Sequence, residues 1–436
     1  MMLTAILSIL LVAVYVHAVL PLPFYRIRRG PPVMESRQPL WRRLVAALAA
    51  PHPRLELTVP EFRRLNRLCP EPSRPLVSWR GSRGYYDQDQ ADTADDAMPA
   101  ALFRSRLALL LLPVRVPLDH ALTPLVNVAT VTAYLLVLLV GWAMLRWTAW
   151  RHRAQLAAQP TELAQAFATH LHEHLEVLVP EAGTGPLPVL AEPGYFMFKL
   201  AEGRAFREAV SRFGGHHPNC EIGPDDGSIS ALHLAAIDRL DHGLNTTPCP
   251  LAANAKPYGD MRLGFIEDMP FPAASLAEIH LIHVVDHIPD LDAAMAALAA
   301  MLQPGGRLIF SGLSHDFSGW WLEQACAAGC VWNNWPLDRY AQLCRAHGLE
   351  MEWARYCQPF PASLVWKATY GFAMKTRAWA ILGGWLGAEA GRRRLARRLL
   401  RHYWLDVYRL EDHLLARTGT GLNFIIVARR SDTARS

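Results

Sequence analysis

The segment Met261–Ser311 constrains the fold more than any other part of the chain, because two short apolar runs flank an alanine-rich stretch there. The first run, Glu278–Val285, has the length of a buried strand. The alanine-rich stretch predicts a helix over Leu291–Leu302 that stops at Pro304–Gly306, and Arg307–Ser311 then begins a second strand. A strand, a helix and a strand in this order form a βαβ unit, which predicts a parallel sheet.

Three short motifs in this segment occur in the order and at the spacing of a known family. They are the turn Met269–Pro272, the strand end His283–Ile288 and the helix stop Leu302–Gly306. The segment resembles the middle of class I S-adenosylmethionine (SAM)-dependent methyltransferases of the type 11 kind. The resemblance covers Tyr195–Arg430, and it implies a seven-stranded Rossmann-like α/β sheet that binds SAM at the carboxyl ends of its strands.

The resemblance implies a cofactor loop directly after the first strand. The family places an acidic residue and three glycines there, and this chain has Glu221, Gly223 and Gly227 at the matching positions, with Asp225 in place of the middle glycine. Glycine allows the backbone to approach a ligand closely. Aspartate tolerates the left-handed backbone conformation better than most residues, so we expect the loop to persist.

Further cofactor positions follow the second, third and fourth strands. Asn245 replaces the acid that holds the ribose hydroxyls, and Phe265 replaces the acid near adenine. The resemblance makes Ile266 and Glu267, which follow Phe265, expected cofactor contacts, and it does the same for His283.

His287 also matches a family histidine, and it is the expected base or acceptor-positioning residue. The alternative for His283 and for His287 is a histidine at a strand end that is satisfied by the backbone. Ala277 stands where the family has an acid at the start of the fourth strand.

Two apolar runs predict membrane helices, at residues 1–20 and 122–145. The first run is interpreted as an uncleaved anchor, with a signal peptide as the alternative. Arginines follow the second run, so its C-terminal side is expected to be cytoplasmic. We therefore predict an integral membrane protein with two helices and membrane lipids as partners.

The remaining divisions follow from this assignment. They are a membrane-proximal region of unknown role (21–121), a helical linker (146–194), a methyltransferase-like domain (195–431) with a helical insertion (358–419), and a tail (432–436). The insertion is rich in tryptophan and arginine. This composition suits either a helix in the lipid headgroup layer or an ordinary cap over the active site.

Composition excludes some partners and disulfide arrangements. The net charge of +5 is compatible with an anionic membrane surface but is too small to indicate nucleic acid, so none is expected. Seven cysteines give no natural disulfide framework. His170 and His174 share one face of a helix predicted over Thr161–Val179, but without a metalloprotease motif they are interpreted as a solvated face, and no metal is expected.

The sequence thus predicts a membrane-anchored, SAM-dependent methyltransferase that acts on a lipid-linked or membrane-proximal small acceptor. The altered cofactor positions leave a second hypothesis open, an inactive methyltransferase fold that serves as a tethered scaffold or binding protein. A third hypothesis, a metal-dependent hydrolase that uses His170 and His174, requires bound zinc.

Overall fold

The structure is a computed structural model that describes residues 106–431, apart from 184–186, 225–226, 247–250, 252–254, 269, 289, 316–332 and 377. For residues 106–127 it describes the backbone alone. The helix predicted at 1–20 and most of the region 21–121 lie outside the described residues.

A single seven-stranded sheet forms the centre of the chain's second half. The strands are β1 (Asn219–Ile222), β2 (Leu240–Asn245), β3 (Tyr258–Leu263), β4 (Leu276–Leu281), β5 (Leu302–Leu313), β6 (Leu349–Cys357) and β7 (Asn423–Arg430). Their order is β3-β2-β1-β4-β5-β7-β6. Strands β1 to β5 pair in parallel, and β7 lies antiparallel between β5 and β6. The predicted Rossmann-like α/β fold is confirmed.

The helices cover both faces of this sheet. They are α1 (Arg106–Arg151), α2 (Arg153–Ala157), α3 (Thr161–Leu178), α4 (Pro193–Phe213), α5 (Ser228–His233), α6 (Leu291–Met301), α7 (Leu337–Ala346), α8 (Ala362–Thr376), α9 (Ala378–Gly387), α10 (Ala390–Arg409) and α11 (Glu411–Thr418). One apolar core joins α3, α4 and the helices α8 to α11 to the sheet, and a second core joins α6 and α7 to the opposite face.

Two predicted strand boundaries were wrong. The run Glu278–Val285 does not form one strand: β4 ends at Leu281, and Val285–His287 forms a 3₁₀ turn. The strand breaks because His283 takes a positive φ of 59°, which extended backbone does not adopt. Likewise, Pro304–Gly306 lies inside β5 rather than before it.

The apolar helix α1 packs against the domain on one side and is exposed on the other. Tyr134 is fully buried and stacks on Phe372 of α8 at 6.0 Å between ring centroids, while Leu136 and Val140 are 58% and 70% exposed. Among the described residues, Val128–Arg151 is the one helix long and apolar enough to cross a membrane. This segment overlaps the span predicted at 122–145.

The prediction of a solvated helix face at His170 and His174 was wrong. Both side chains are buried, because they share the face of α3 that packs on α4 and α10. His170 Nδ1 hydrogen-bonds the hydroxyl of Tyr408. Burial lowers the pKa of His174 to about 3, so this histidine is neutral in the folded protein.

Glu192 connects α1 to the domain, and the raised pKa of its carboxyl predicts that the stability of the protein depends on pH. Tyr134 donates a hydrogen bond of 2.6 Å to its Oε1, and burial raises the pKa of Glu192 from 4.5 to about 7 although that bond opposes the shift. An acid with a raised folded pKa is stabilising at low pH, and its contribution is lost as the pH rises from about 4.5 to about 7. We expect the melting temperature to fall less between pH 5 and pH 8 in Glu192→Gln than in the wild type; equal falls would contradict this account.

Candidate functional site

The strand order has a topological switch point at β1. From β1 the chain order runs outward to β2 and β3 on one side and to β4 and β5 on the other. Ile222 pairs with Leu244 and with Leu281, so the segments that follow β1, β2 and β4 emerge side by side. In open α/β sheets ligands bind outside the carboxyl ends of the strands at such a switch point.

The loop after β1 depends on its two glycines. Gly223 and Gly227 have φ angles of +71° and +73°. A Cβ on Gly223 would lie 2.7 Å from Cγ2 of Val284, and a Cβ on Gly227 would lie 2.7 Å from Cβ of Ala255. Both positions therefore require glycine on conformational and steric grounds. Asp225, the third predicted loop residue, lies outside the described residues.

Glu221 holds this loop in place from within the sheet. Ser230 of α5 donates a hydrogen bond of 2.6 Å to Oε1, and Tyr258 of β3 donates one of 2.6 Å to Oε2. Burial raises the pKa of Glu221, although the two hydrogen bonds oppose the shift. Because each carboxylate oxygen already accepts a bond from the protein, Glu221 connects β1, α5 and β3.

The other predicted cofactor residues on this side lie beyond β2 and β3. Asn245 is the last residue of β2 and is buried, and its carbonyl accepts a hydrogen bond of 3.0 Å from the amide of Gly264. Ile266 is buried and Glu267 is partly exposed, both in a 3₁₀ turn after β3. They lie at the sheet edge that the resemblance implies, and their contact with a cofactor stays a prediction.

Beyond β4 the chain brings together three polar side chains. His283 Nε2 lies 3.2 Å from Oδ2 of Asp286, and one ligand atom each of His283, Asp286 and His287 fall within 4.8 Å of one another. The amide of Leu313 donates a hydrogen bond of 2.9 Å to Oδ1 of Asp286. Burial raises the pKa of Asp286, while the two histidines act in the opposite direction. The structure thus places the predicted residues His283 and His287 in one cluster.

A buried charge network lies beneath this cluster, and the sequence analysis missed it. Glu202 of α4 accepts a hydrogen bond of 2.7 Å from Lys199 and one of 2.6 Å from Ser311, and His233 Nε2 lies 3.2 Å away. Burial alone would raise the pKa of Glu202, but Lys199 and the histidines hold it well below its usual range. The one signal in the sequence is Lys199 and Glu202, two charges three residues apart in an otherwise apolar part of α4.

Aromatic rings cover the cluster from α4 and α8, and the sequence analysis missed these too. Phe198 meets His283 edge-on at 4.8 Å between centroids and stacks on Trp366 at 5.6 Å. Tyr195 stacks on Tyr370 at 4.7 Å. The four rings, Tyr195, Phe198, Trp366 and Tyr370, form what we call the aromatic cover of the site. A cover of this kind excludes water from the carboxyl end of β4 and favours apolar ligands.

The comparisons with known proteins agree with the predicted domain. Residues 201–353 match a family model described as a methyltransferase domain. The prediction of a class I methyltransferase domain in the C-terminal part of the chain is thereby confirmed. A search of curated proteins finds no match.

Three solved structures illustrate the matches to known folds. A candidate sarcosine dimethylglycine methyltransferase from Galdieria sulphuraria is 14% identical, with 53% of this chain and 85% of that chain covered at a TM-score of 0.36. The [4+2]-cyclase SpnF is 13% identical, with 52% and 80% covered at 0.34. Geranyl diphosphate C-methyltransferase from Streptomyces coelicolor A3(2) is 13% identical, with 57% and 90% covered at 0.32.

Proposed function

Because the C-terminal part of this chain is a class I methyltransferase domain, we propose that it transfers a methyl group from SAM to a lipid-linked or membrane-proximal small acceptor. The cofactor binds at the switch point beside β1, where Gly223 and Gly227 keep the backbone free of side chains. SAM supplies a methyl group on a sulfonium, and an acceptor atom displaces it in line. Much of the rate of such a reaction comes from holding the two partners in position.

Some residues of the site are assigned to SAM and others to the methyl acceptor. Asn245 offers an amide for hydrogen bonds to the ribose hydroxyls, without the charge assistance that a carboxylate gives. Ile266 and Glu267 lie on the adenine side of the loop. His283 lies beside the reactive end of the cofactor, and His287 positions the acceptor or takes its proton. The aromatic cover gives the acceptor an apolar environment.

One observation carries the membrane part of the proposal: α8 contacts both the aromatic cover and the apolar helix α1. Trp366 of α8 belongs to the cover, and Phe372, two turns further on, stacks on Tyr134 of α1. Gly141 of α1 faces Val365 and the hydroxyl of Tyr403. If α1 lies in a bilayer, α8 connects the bilayer to the aromatic cover of the site. This arrangement supports a membrane-embedded or membrane-proximal substrate.

The exposed side of α1 supports a bilayer as its surroundings. Leu135, Leu136, Leu139 and Val140 are all about half exposed or more, which is unusual for the core helix of a soluble protein. Exposed Trp147 and Trp150 follow near the helix end, where tryptophan favours the interface. We propose that α1 anchors the chain with the methyltransferase domain on the cytoplasmic side, where SAM is made.

A labelled-methyl assay tests this function. Purified full-length protein in mixed micelles is incubated with methyl-tritiated SAM and either the organic or the aqueous extract of host cells. We expect label in the organic extract alone. Label in the aqueous fraction alone would contradict the acceptor class, and no transfer together with no SAM binding would favour the inactive scaffold.

His287→Gln tests the acceptor side separately. We expect the rate of methyl transfer to fall by about 100-fold or more, the usual loss when a proton acceptor is removed, while SAM affinity stays within about twofold. His172→Gln on the exposed side of α3 is the matched control. An unchanged rate in His287→Gln would remove this residue from the reaction.

A further inference from the structure

The cluster at the end of β4 has the geometry of a metal site. Imidazole and carboxylate groups are the common ligands of first-row divalent cations. Here one ligand atom each of His283, Asp286 and His287 lie within 4.8 Å of one another. All three come from one short turn, so the chain supplies them without any long-range rearrangement.

The distance between two of these atoms fits shared coordination better than a hydrogen bond. His283 Nε2 and Asp286 Oδ2 are 3.2 Å apart, yet within the described residues Oδ2 accepts no hydrogen bond. Two ligands at about 2.0 Å from a tetrahedral zinc ion lie about 3.3 Å apart. The observed separation therefore needs almost no adjustment. His287 has to move its ring by about 1 to 2 Å to reach the same distance.

The other nitrogen of His283 points to a carboxylate, as metal-bound histidines usually require. Nδ1 of His283 lies 3.6 Å from Oε1 of Glu202. Glu202 is itself fixed in place, because it accepts hydrogen bonds from Lys199 and Ser311. The 3.6 Å separation is longer than a hydrogen bond, and a small rotation of the ring would bring Nδ1–H to Glu202 while the lone pair of Nε2 faces Asp286. In metal sites a carboxylate commonly accepts a hydrogen bond from the second ring nitrogen of a ligating histidine and orients it.

The electrostatics of the site favour a cation. Asp286 is fully buried, and Lys199, the lysine of the network beneath the cluster, is already paired with Glu202 at 2.7 Å. A buried carboxylate without a matching charge is unfavourable. The backbone of His283 also has a φ of +59°, a strained conformation for histidine that directs its ring into the cluster.

We propose that His283, Asp286 and His287 bind one first-row divalent cation, with Zn²⁺ the best match to two imidazoles and one carboxylate. No metal was expected from the sequence, because His170 and His174 lack a metalloprotease motif. The site faces the aromatic cover, so an ion there contacts the acceptor. The ion would lower the pKa of an acceptor hydroxyl, and His287 would then act on the acceptor through the ion. This catalytic role of the ion rests on the proposed function, whereas its binding does not.

Metal binding is measured on the full-length protein without SAM. After chelator treatment, the protein is titrated with Zn²⁺ against a chromophoric chelator, and bound metal is counted by elemental analysis. We expect one ion per chain, and visible absorption bands of tetrahedral cobalt when Co²⁺ replaces Zn²⁺. No bound ion, or octahedral cobalt bands alone, would overturn the proposal.

Variants locate the ion. His283→Gln and His287→Gln are each expected to weaken Zn²⁺ binding at least 100-fold, and Glu202→Gln by about 10- to 100-fold, the usual loss when a group that orients a metal ligand is changed. His172→Gln is the control and should bind as the wild type does. Binding that survives both His283→Gln and His287→Gln but is lost in His174→Gln would place the ion under α3 and contradict this assignment. Circular dichroism confirms that each variant is folded, and the cobalt spectrum of the wild type tests the site even if a variant is not.

Discussion

Gly223→Ala is expected to weaken SAM binding by about 30-fold, which corresponds to about 2 kcal/mol of backbone strain and steric adjustment. The φ of +71° disfavours any side chain, and the new Cβ would lie 2.7 Å from Cγ2 of Val284, so the loop after β1 or the Val284 side chain must shift. Isothermal titration calorimetry with SAM or its demethylated product measures this change.

Gly384→Ala provides the matched control for this substitution. Gly384 lies in α9, its φ is ordinary, and a Cβ there meets no atom within 4 Å. We expect unchanged SAM affinity in this variant. Equal affinities for Gly223→Ala and the wild type would show that the loop after β1 does not hold the cofactor.

Glu202→Ala is expected to cause the largest loss of stability, about 3 to 5 kcal/mol, because it leaves a buried charge uncompensated. Lys199 is almost fully buried and makes its 2.7 Å hydrogen bond to Glu202. Ser311 and His233 lose their partner in the same variant. In a domain of this size the change corresponds to a melting temperature about 10 °C lower.

The control for Glu202 is a glutamate in an exposed ion pair. Glu389 contacts Arg392 at 3.1 Å and is largely solvent-exposed. Because surface pairs contribute little, we expect Glu389→Ala to lower the melting temperature by about 2 °C at most. Similar melting temperatures for Glu202→Ala and Glu389→Ala would mean that the network under β4 is not a stabilising element.

Much of the sheet and its helices could be predicted from local patterns. The helix predicted over Leu291–Leu302 begins at the same residue in the structure and ends one residue earlier, at Met301. Its start is fixed locally, because the side chain of Asp290 accepts a hydrogen bond from the amide of Ala293, independently of tertiary contacts. The end of β4 could not be predicted in this way, since a left-handed histidine leaves no periodic signal.

The residues of the candidate site also include some that could be predicted from the sequence and some that could not. Gly223 and Gly227 could be found from the family resemblance, and the structure supplies the physical reason for glycine there, a left-handed backbone at both positions. Glu202 and the aromatic cover could not, because both depend on tertiary contacts: Glu202 meets Ser311, 109 residues away, and Phe198 meets Trp366, still further along the chain. The burial of His170 and His174 escaped prediction because polarity alone indicates a solvated face.

Calorimetric titration of SAM into the folded, full-length protein in detergent tests the central claim most directly. A cofactor site at the switch point predicts one binding site per chain with a dissociation constant in the micromolar range. SAM affinity should be lower in Gly223→Ala and unchanged in Gly384→Ala. No binding at millimolar SAM by a protein that melts cooperatively would contradict the account and leave a methyltransferase fold without its cofactor.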